Sequence, residues 1–156
     1  MRDVWRYLLE TIDEPVTLSY LCSLNERIAR NEALQWGKLR TGTVGISGTD
    51  YEPPVPDWEN TERELKDIMS ESVSSAEKAL NAFLWGARGQ FFWDGNKRTS
   101  MTLANKILIS AGAGILTITD QCMEQFNTLL IHYYTTGETE QLKQFMYHNT
   151  IQGIHL

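Results

Sequence analysis

Between Asn96 and Ser110 the chain reads NKRTSMTLANKILIS, and Met101, Leu103, Ala104, Ile107, Leu108 and Ile109 fall on nearly every side of a helix drawn through it. A helix with one apolar stripe lies on a surface. One that is apolar nearly all round has to be enclosed by other elements. No apolar run in the chain approaches the ~20 residues that a membrane span needs, so the enclosure must come from protein. Gly112 and Gly114 end the helix. The 156 residues, 42% of them hydrophobic, are enough to build that enclosure as one domain over 1–156.

The enclosing elements also read as helices. Val4, Trp5, Leu8 and Leu9 mark a first one, and Leu18, Leu21, Cys22, Leu24, Ile28 and Leu34 a second, capped by Thr17. Asp57 can cap a helix through Leu65, Ile68 and Met69, and Ser74 or Ser75 one through Ala79, Leu80, Phe83 and Leu84. Thr119 or Asp120 opens a helix with Met123, Phe126, Leu129, Leu130 and Tyr133. Gly137 breaks it before a last helix with Leu142, Phe145 and Met146. Residues 40–56 differ. Thr, Val, Ile and Gly crowd 41–49, with Val44 and Ile46 alternating with small residues, and Pro53, Pro54 and Pro56 follow. That pattern predicts one short strand or a small hairpin. The fold class is therefore mainly α with a short β-hairpin.

Composition excludes some functions. A net charge of −6 offers no basic surface for nucleic acid. Cys22 and Cys122 have neither metal spacing nor a disulfide framework and read as small apolar residues. The N-terminal residues mix charge into their apolar positions, unlike a signal peptide. Together these predict a cytoplasmic protein without a membrane partner.

The chemistry concentrates at residues 90–98, QFFWDGNKR. The first turn of a helix has free N–H groups and a partial positive charge. Lys97 and Arg98 sit there side by side, which is unfavourable unless an anion occupies the helix end. Asp94 is placed to cap, Gly95 lets the backbone approach a ligand, and the Asn96 amide can bond to a bound group. That combination suits phosphate. The same residues also read as an ordinary turn and cap, with Lys97 and Arg98 in water.

Phe92, Asp94, Gly95, Asn96, Lys97 and Arg98 match the motif His-x-Phe-x-Asp/Glu-Gly-Asn-Gly/Lys-Arg, and on them the chain resembles the Fic/Doc family, with the Fido fold. The likeness extends to Leu39-Arg40-Thr41-Gly42, Val44, Ile46, Gly48 and Pro53-Pro54, similar to the family's flap, and covers residues 17–147. It implies a Mg²⁺ ion on Asp94, backbone amides of Gly95, Asn96 and Lys97 around the phosphates of ATP, and Arg98 as a phosphate clamp. It implies a buried Phe92 and a flap, Val44, Gly45, Ile46 and Ser47, that pairs with an extended segment of a protein target.

The sequence departs from that pattern in three places. Gln90 stands where the family has the histidine general base, and an amide does not titrate near neutral pH. Met101 stands where many AMP-transferring members carry a second arginine, while Lys97 resembles the Doc-like branch, whose members can phosphorylate proteins. Inhibitory motifs of the form Ser/Thr-x-x-x-Glu-Gly/Asn find no match: Glu59-Asn60 follows Val55 where Ser or Thr is required. Either an inhibitor or antitoxin is then a separate protein, or none is needed. His132, His148 and His155 give no sign of replacing the base. Trp93 lies in the loop and can line the nucleotide or target groove; Trp5, Trp36, Trp58 and Trp85 read as packing residues. The resemblance thus implies an adenylyltransferase-like protein with impaired AMP transfer. The alternatives are a nucleotide- or partner-binding module without turnover, or a Doc-like phosphotransferase or toxin component.

Overall fold

A computed structural model describes residues 2–153; His155 lies outside them. In chain order the elements are α1 (Arg2–Glu10), α2 (Leu18–Ala29), α3 (Trp58–Ser70), α4 (Ser75–Gly89), α5 (Asn96–Ser110), β1 (Ile115–Leu116), α6 (Asp120–Thr136), α7 (Glu140–Asn149) and β2 (Ile151–Gln152). The protein is mainly helical, as its periodicity requires. Three of the expected caps are made: the side chains of Thr17, Asp57 and Ser74 accept the N–H groups of Tyr20, Asn60 and Glu77. Thr119 sits at the N-cap of α6 without a side-chain bond.

α5 is enclosed, as its all-round apolarity demands. It packs along α4 and touches α2 and β1. Gly86 makes the α4 contact possible: a Cβ there would lie 2.3 Å from Ser100 Oγ. Four buried polar residues of α5, Asn96, Thr99, Asn105 and Lys106, bond to groups outside the helix. Asn105 serves β1 as a strand would, accepting the Leu116 N–H and donating to its carbonyl. Lys106, only 1% exposed, donates to the carbonyls of Thr11 and Ile12 at 2.7 and 3.0 Å and lies over the Tyr20 ring, so it ties the end of α1 to the core. Burial lowers its pKa.

The β structure lies elsewhere than expected. Ile115 and Leu116 pair antiparallel with Gln152 and Ile151, whereas residues 40–56 form no strand. The reason is physical. Carbonyls of this segment are taken by a guanidinium: Arg40 Nη1 donates to Gly42 O at 2.8 Å, and Nη2 to Pro54 O at 2.8 Å and Pro53 O at 3.3 Å. Three prolines within 53–56 have no N–H to put into a ladder. The segment instead wraps the fold as an extended loop. Its tip rests on α6, where the Thr49 and Thr135 hydroxyls bond at 2.8 Å and Ile131 packs on Gly48.

Candidate functional site

The site is built on the turn between α4 and α5. α4 stops at Gln90, whose backbone is left-handed (φ 48°, ψ 52°), a conformation that costs a non-glycine residue ~1–2 kcal/mol. Several bonds hold it there. The Gln90 N–H bonds to Gly86 O, and its side-chain Nε2 donates to Ala87 O at 2.6 Å. The side-chain Oε1 accepts from Asn96 Nδ2 at 3.2 Å, and Arg40 Nε donates to the backbone carbonyl. Gln90 thus spends both ends of its amide on the protein's own framework.

Two asparagines set the shape of the loop. Asn96 Oδ1 accepts the Phe92 N–H at 2.9 Å while its Nδ2 donates to Phe92 O at 2.8 Å, closing residues 92–96 into a ring. Its side chain is therefore committed to the turn rather than offered to a bound group. Asn25, fully buried on α2, donates to Asp94 O and Thr99 Oγ1 and accepts the Gly37 N–H. Asp94 is not the cap of α5. Gly95 holds the N-cap in a left-handed conformation, with Ala29 Cβ 3.2 Å from where its own Cβ would stand, and no side chain caps the helix. The loop takes this form because only glycine turns so tightly against α2, and it leaves the N–H groups of the first turn free among the described residues. Phe92 is buried beneath, as expected.

A cleft of about 410 Å³ opens over that turn, lined by Val44, Gly45, Gln90, Trp93 and Asp94 through Arg98. Most of the residues expected to act together are thus together. Ile46 and Ser47 are not in this cleft; they face a separate hollow formed by the flap segment itself. Trp93 forms a wall and packs on Gly42, where a Cβ would meet its ring at 2.8 Å. Among the described residues no histidine lines the cleft. His132 instead faces Glu138, and the His148 ring meets the Tyr147 edge.

The charges of the cleft are asymmetric. Lys97 is exposed. Arg98 is bridged by both oxygens of Glu32, a residue just beyond α2. That pairing holds the Glu32 carboxyl below the usual carboxylate range and raises the Arg98 pKa. An anion entering the cleft competes with Glu32 for the guanidinium. Asp94 is exposed at the rim. Among the described residues no group of three His, Cys, Asp or Glu side chains could cage a metal. One carboxylate nonetheless suits a magnesium ion that brings phosphate oxygens and water as its other ligands.

Arg40, Asn25 and Glu32 shape this site, and none was legible as a site residue. Arg40 stood in the flap sequence, but a lone arginine among Thr and Gly reads as solvated. Its 1% exposure comes from carbonyls contributed by residues 42, 53, 54, 89 and 90, a convergence with no periodicity to reveal it.

Residues 15–108, more than half of the chain, match the model of the Fic/DOC family, and the chain belongs to that family. It is similar in structure to Fic-1 (residues 134–508) from C. elegans, with a TM-score of 0.72, 16% identity, and coverage of 89% of this chain and 44% of that one. It is also similar to the VirB-translocated effector BepC of Bartonella tribocorum with bound AMPPNP (TM-score 0.67, 18% identity, 97% and 84% coverage). The N-terminal Fic domain of a VirB-translocated Bep effector from Bartonella quintana with bound ADP matches equally (TM-score 0.67, 18% identity, 97% and 83% coverage). The chain thus spans less than half of the Fic-1 chain. A search of curated proteins returned no match. No helix among the described residues is long and apolar enough to cross a membrane.

Proposed function

We propose that this protein binds a nucleoside di- or triphosphate, with Mg²⁺, in the cleft over the start of α5, and that AMP transfer to a protein hydroxyl is impaired in it. The observation that carries this is the uncapped first turn of α5. Free N–H groups, Lys97 and Arg98 converge on a cleft with a carboxylate, Asp94, at its rim. Two Fic structures of similar fold hold AMPPNP and ADP. In this reading the backbone amides of Gly95, Asn96 and Lys97 surround the phosphates. Arg98 turns from Glu32 to clamp them, and Asp94 holds the metal that supplies charge neutralisation. Val44 and Gly45, across the cleft, face where an extended target segment would lie.

Gln90 occupies the position from which a base would take the proton of the target hydroxyl. Its amide has no basic site near neutral pH and is already bonded to Ala87 O and Asn96. Loss of a general base removes on the order of 10²–10⁴-fold in rate, while positioning and phosphate stabilisation are untouched. The test is calorimetry with Mg²⁺-ATP, followed by labelling of lysate proteins with α- and γ-labelled ATP, using the wild type and Gln90→His. We expect binding by both forms and α-label transfer only by Gln90→His. Failure of both to bind any nucleotide sinks the proposal. Robust α-labelling by the wild type sinks its second half, and γ-labelling makes it a phosphotransferase.

A further inference from the structure

A further cavity adjoins the turn that carries Gln90 and is lined by its neighbours Gly89 and Phe91. It measures about 550 Å³ and opens between α3, α4 and residues 51–57, within the size range of small-molecule sites. Trp85, Phe91, Tyr51 and Tyr133 line it. Trp85 and Phe91 form one wall, their ring centroids 4.5 Å apart. Arg88 also lines the cavity. Its guanidinium stacks on the Tyr51 ring at 3.8 Å and is fixed by one bond from Nε to Tyr134 O at 3.2 Å.

The polar groups around this cavity are unequally committed. Two carboxylates line it and bond to neutral donors: both Asp57 oxygens accept from Asn60, and Glu64 Oε2 accepts the Trp85 indole N–H at 2.9 Å. Among the described residues Arg88 has no carboxylate partner, and its two terminal nitrogens make no hydrogen bond and lie beside Gly137. Arg63, on the rim, bonds only to the Asn60 amide oxygen. A half-buried guanidinium held rigid by a ring and a carbonyl, with its fork of donors unused beside an aromatic wall, suits a planar anion. None of these residues belongs to the phosphate cleft.

We propose that this cavity is a second binding site, for a small aromatic anion whose ring packs against Trp85 and Phe91 and whose charged group pairs with the terminal nitrogens of Arg88. Aromatic carboxylates and phosphates share that chemistry. The site is independent of the nucleotide reading, and it adjoins the cleft through Gly89 and Phe91, which flank Gln90.

The probe is 2-naphthoate, titrated into ¹⁵N-labelled full chain while the indole N–H resonances are followed, with that of Trp85 assigned by Trp85→Phe. We expect a saturable shift at Trp85. The neutral 2-naphthamide should bind about tenfold more weakly, as should 2-naphthoate to Arg88→Gln. Arg98→Ala should leave the shift unchanged, which separates this site from the phosphate cleft. Absence of any Trp85 shift at millimolar naphthoate overturns the proposal, as does equal binding of acid and amide. The amide comparison uses the wild type, so the result stands even if Arg88→Gln does not fold. Naphthoate and inorganic phosphate at matched ionic strength distinguish an aromatic ligand from a bare anion: if phosphate alone shifts Trp85 equally, the aromatic part is wrong.

Discussion

Arg40 is the residue on which the site's frame depends most. Its three nitrogens reach five carbonyls, at the end of α4 and in the loop 42–54. Removing it leaves several buried acceptors without partners, each costing about 1–3 kcal/mol where water cannot replace the bond. Arg40→Met should therefore destabilise by at least ~3 kcal/mol in urea denaturation, and Arg40→Lys should recover little, because an ammonium cannot reproduce the planar fork. Glu32 belongs to the opposite class. Its bond to Arg98 lies at the surface, and exposed pairs add little stability. Glu32→Ala should leave the melting temperature nearly unchanged and tighten Mg²⁺-ATP binding roughly two- to fivefold by calorimetry, because Arg98 no longer has to be released. The effect has a pH signature. The Glu32 pKa is lowered in the folded protein, so the pair persists above the ordinary carboxylate range and dissolves as pH falls through that lowered value. The wild type and Glu32→Ala should converge only there. The site residues that could be read from the sequence were those in one contiguous stretch, 90–98. Asn25, Glu32 and Arg40 lie 69, 66 and 50 positions from Asp94, Arg98 and Gln90, to which they bond, and no local pattern encodes a pairing made only by tertiary closure.

At the scale of elements, α5 was legible and the flap was only partly so. An all-round apolar helix has one solution, enclosure, and the structure adopts it. Alternation over Val44–Ile46 has more than one, because extended chain without a partner shows the same alternation as a strand. The partner was lacking: Arg40 and the prolines hold the segment, and the pairing goes to β1 and β2, which are two residues each and too short for periodicity to register. The α4–α5 contact gives a sharper test. Gly86→Ala improves intrinsic helix propensity by about 1 kcal/mol. Its new methyl would nevertheless lie 2.3 Å from Ser100 Oγ, and overpacking costs about 1–3 kcal/mol. We expect net destabilisation by thermal melting, and partial recovery in the double variant Gly86→Ala with Ser100→Ala, a coupling that additive effects would not give.

For the whole molecule, stability should fail on the alkaline side through buried phenols. Tyr133 and Tyr134 are both pushed up to about 12 by burial, and an unfolded tyrosine ionises near 10. The folded state therefore retains protons that the unfolded state has lost, so stability falls as pH rises from about 10 to about 12. Absorbance at 295 nm should show these two of the six tyrosines titrating late, with Tyr20 also raised by burial, and the ionisation of Tyr133 and Tyr134 coinciding with loss of helical circular dichroism. Burial pushes Cys22 up to about 11, so its thiol stays protonated and unreactive toward alkylating reagents at neutral pH until the fold opens.

The loop 40–56 is fastened unevenly. At its base a guanidinium grips several carbonyls; toward its tip it is held by Ile46 packed on the core, Tyr51 beneath Arg88, a bond between two threonine hydroxyls and Ile131 lying on Gly48. With only one hydrogen bond to α6 among the described residues, the tip should exchange its amide protons ahead of the base, where Arg40 holds the carbonyls.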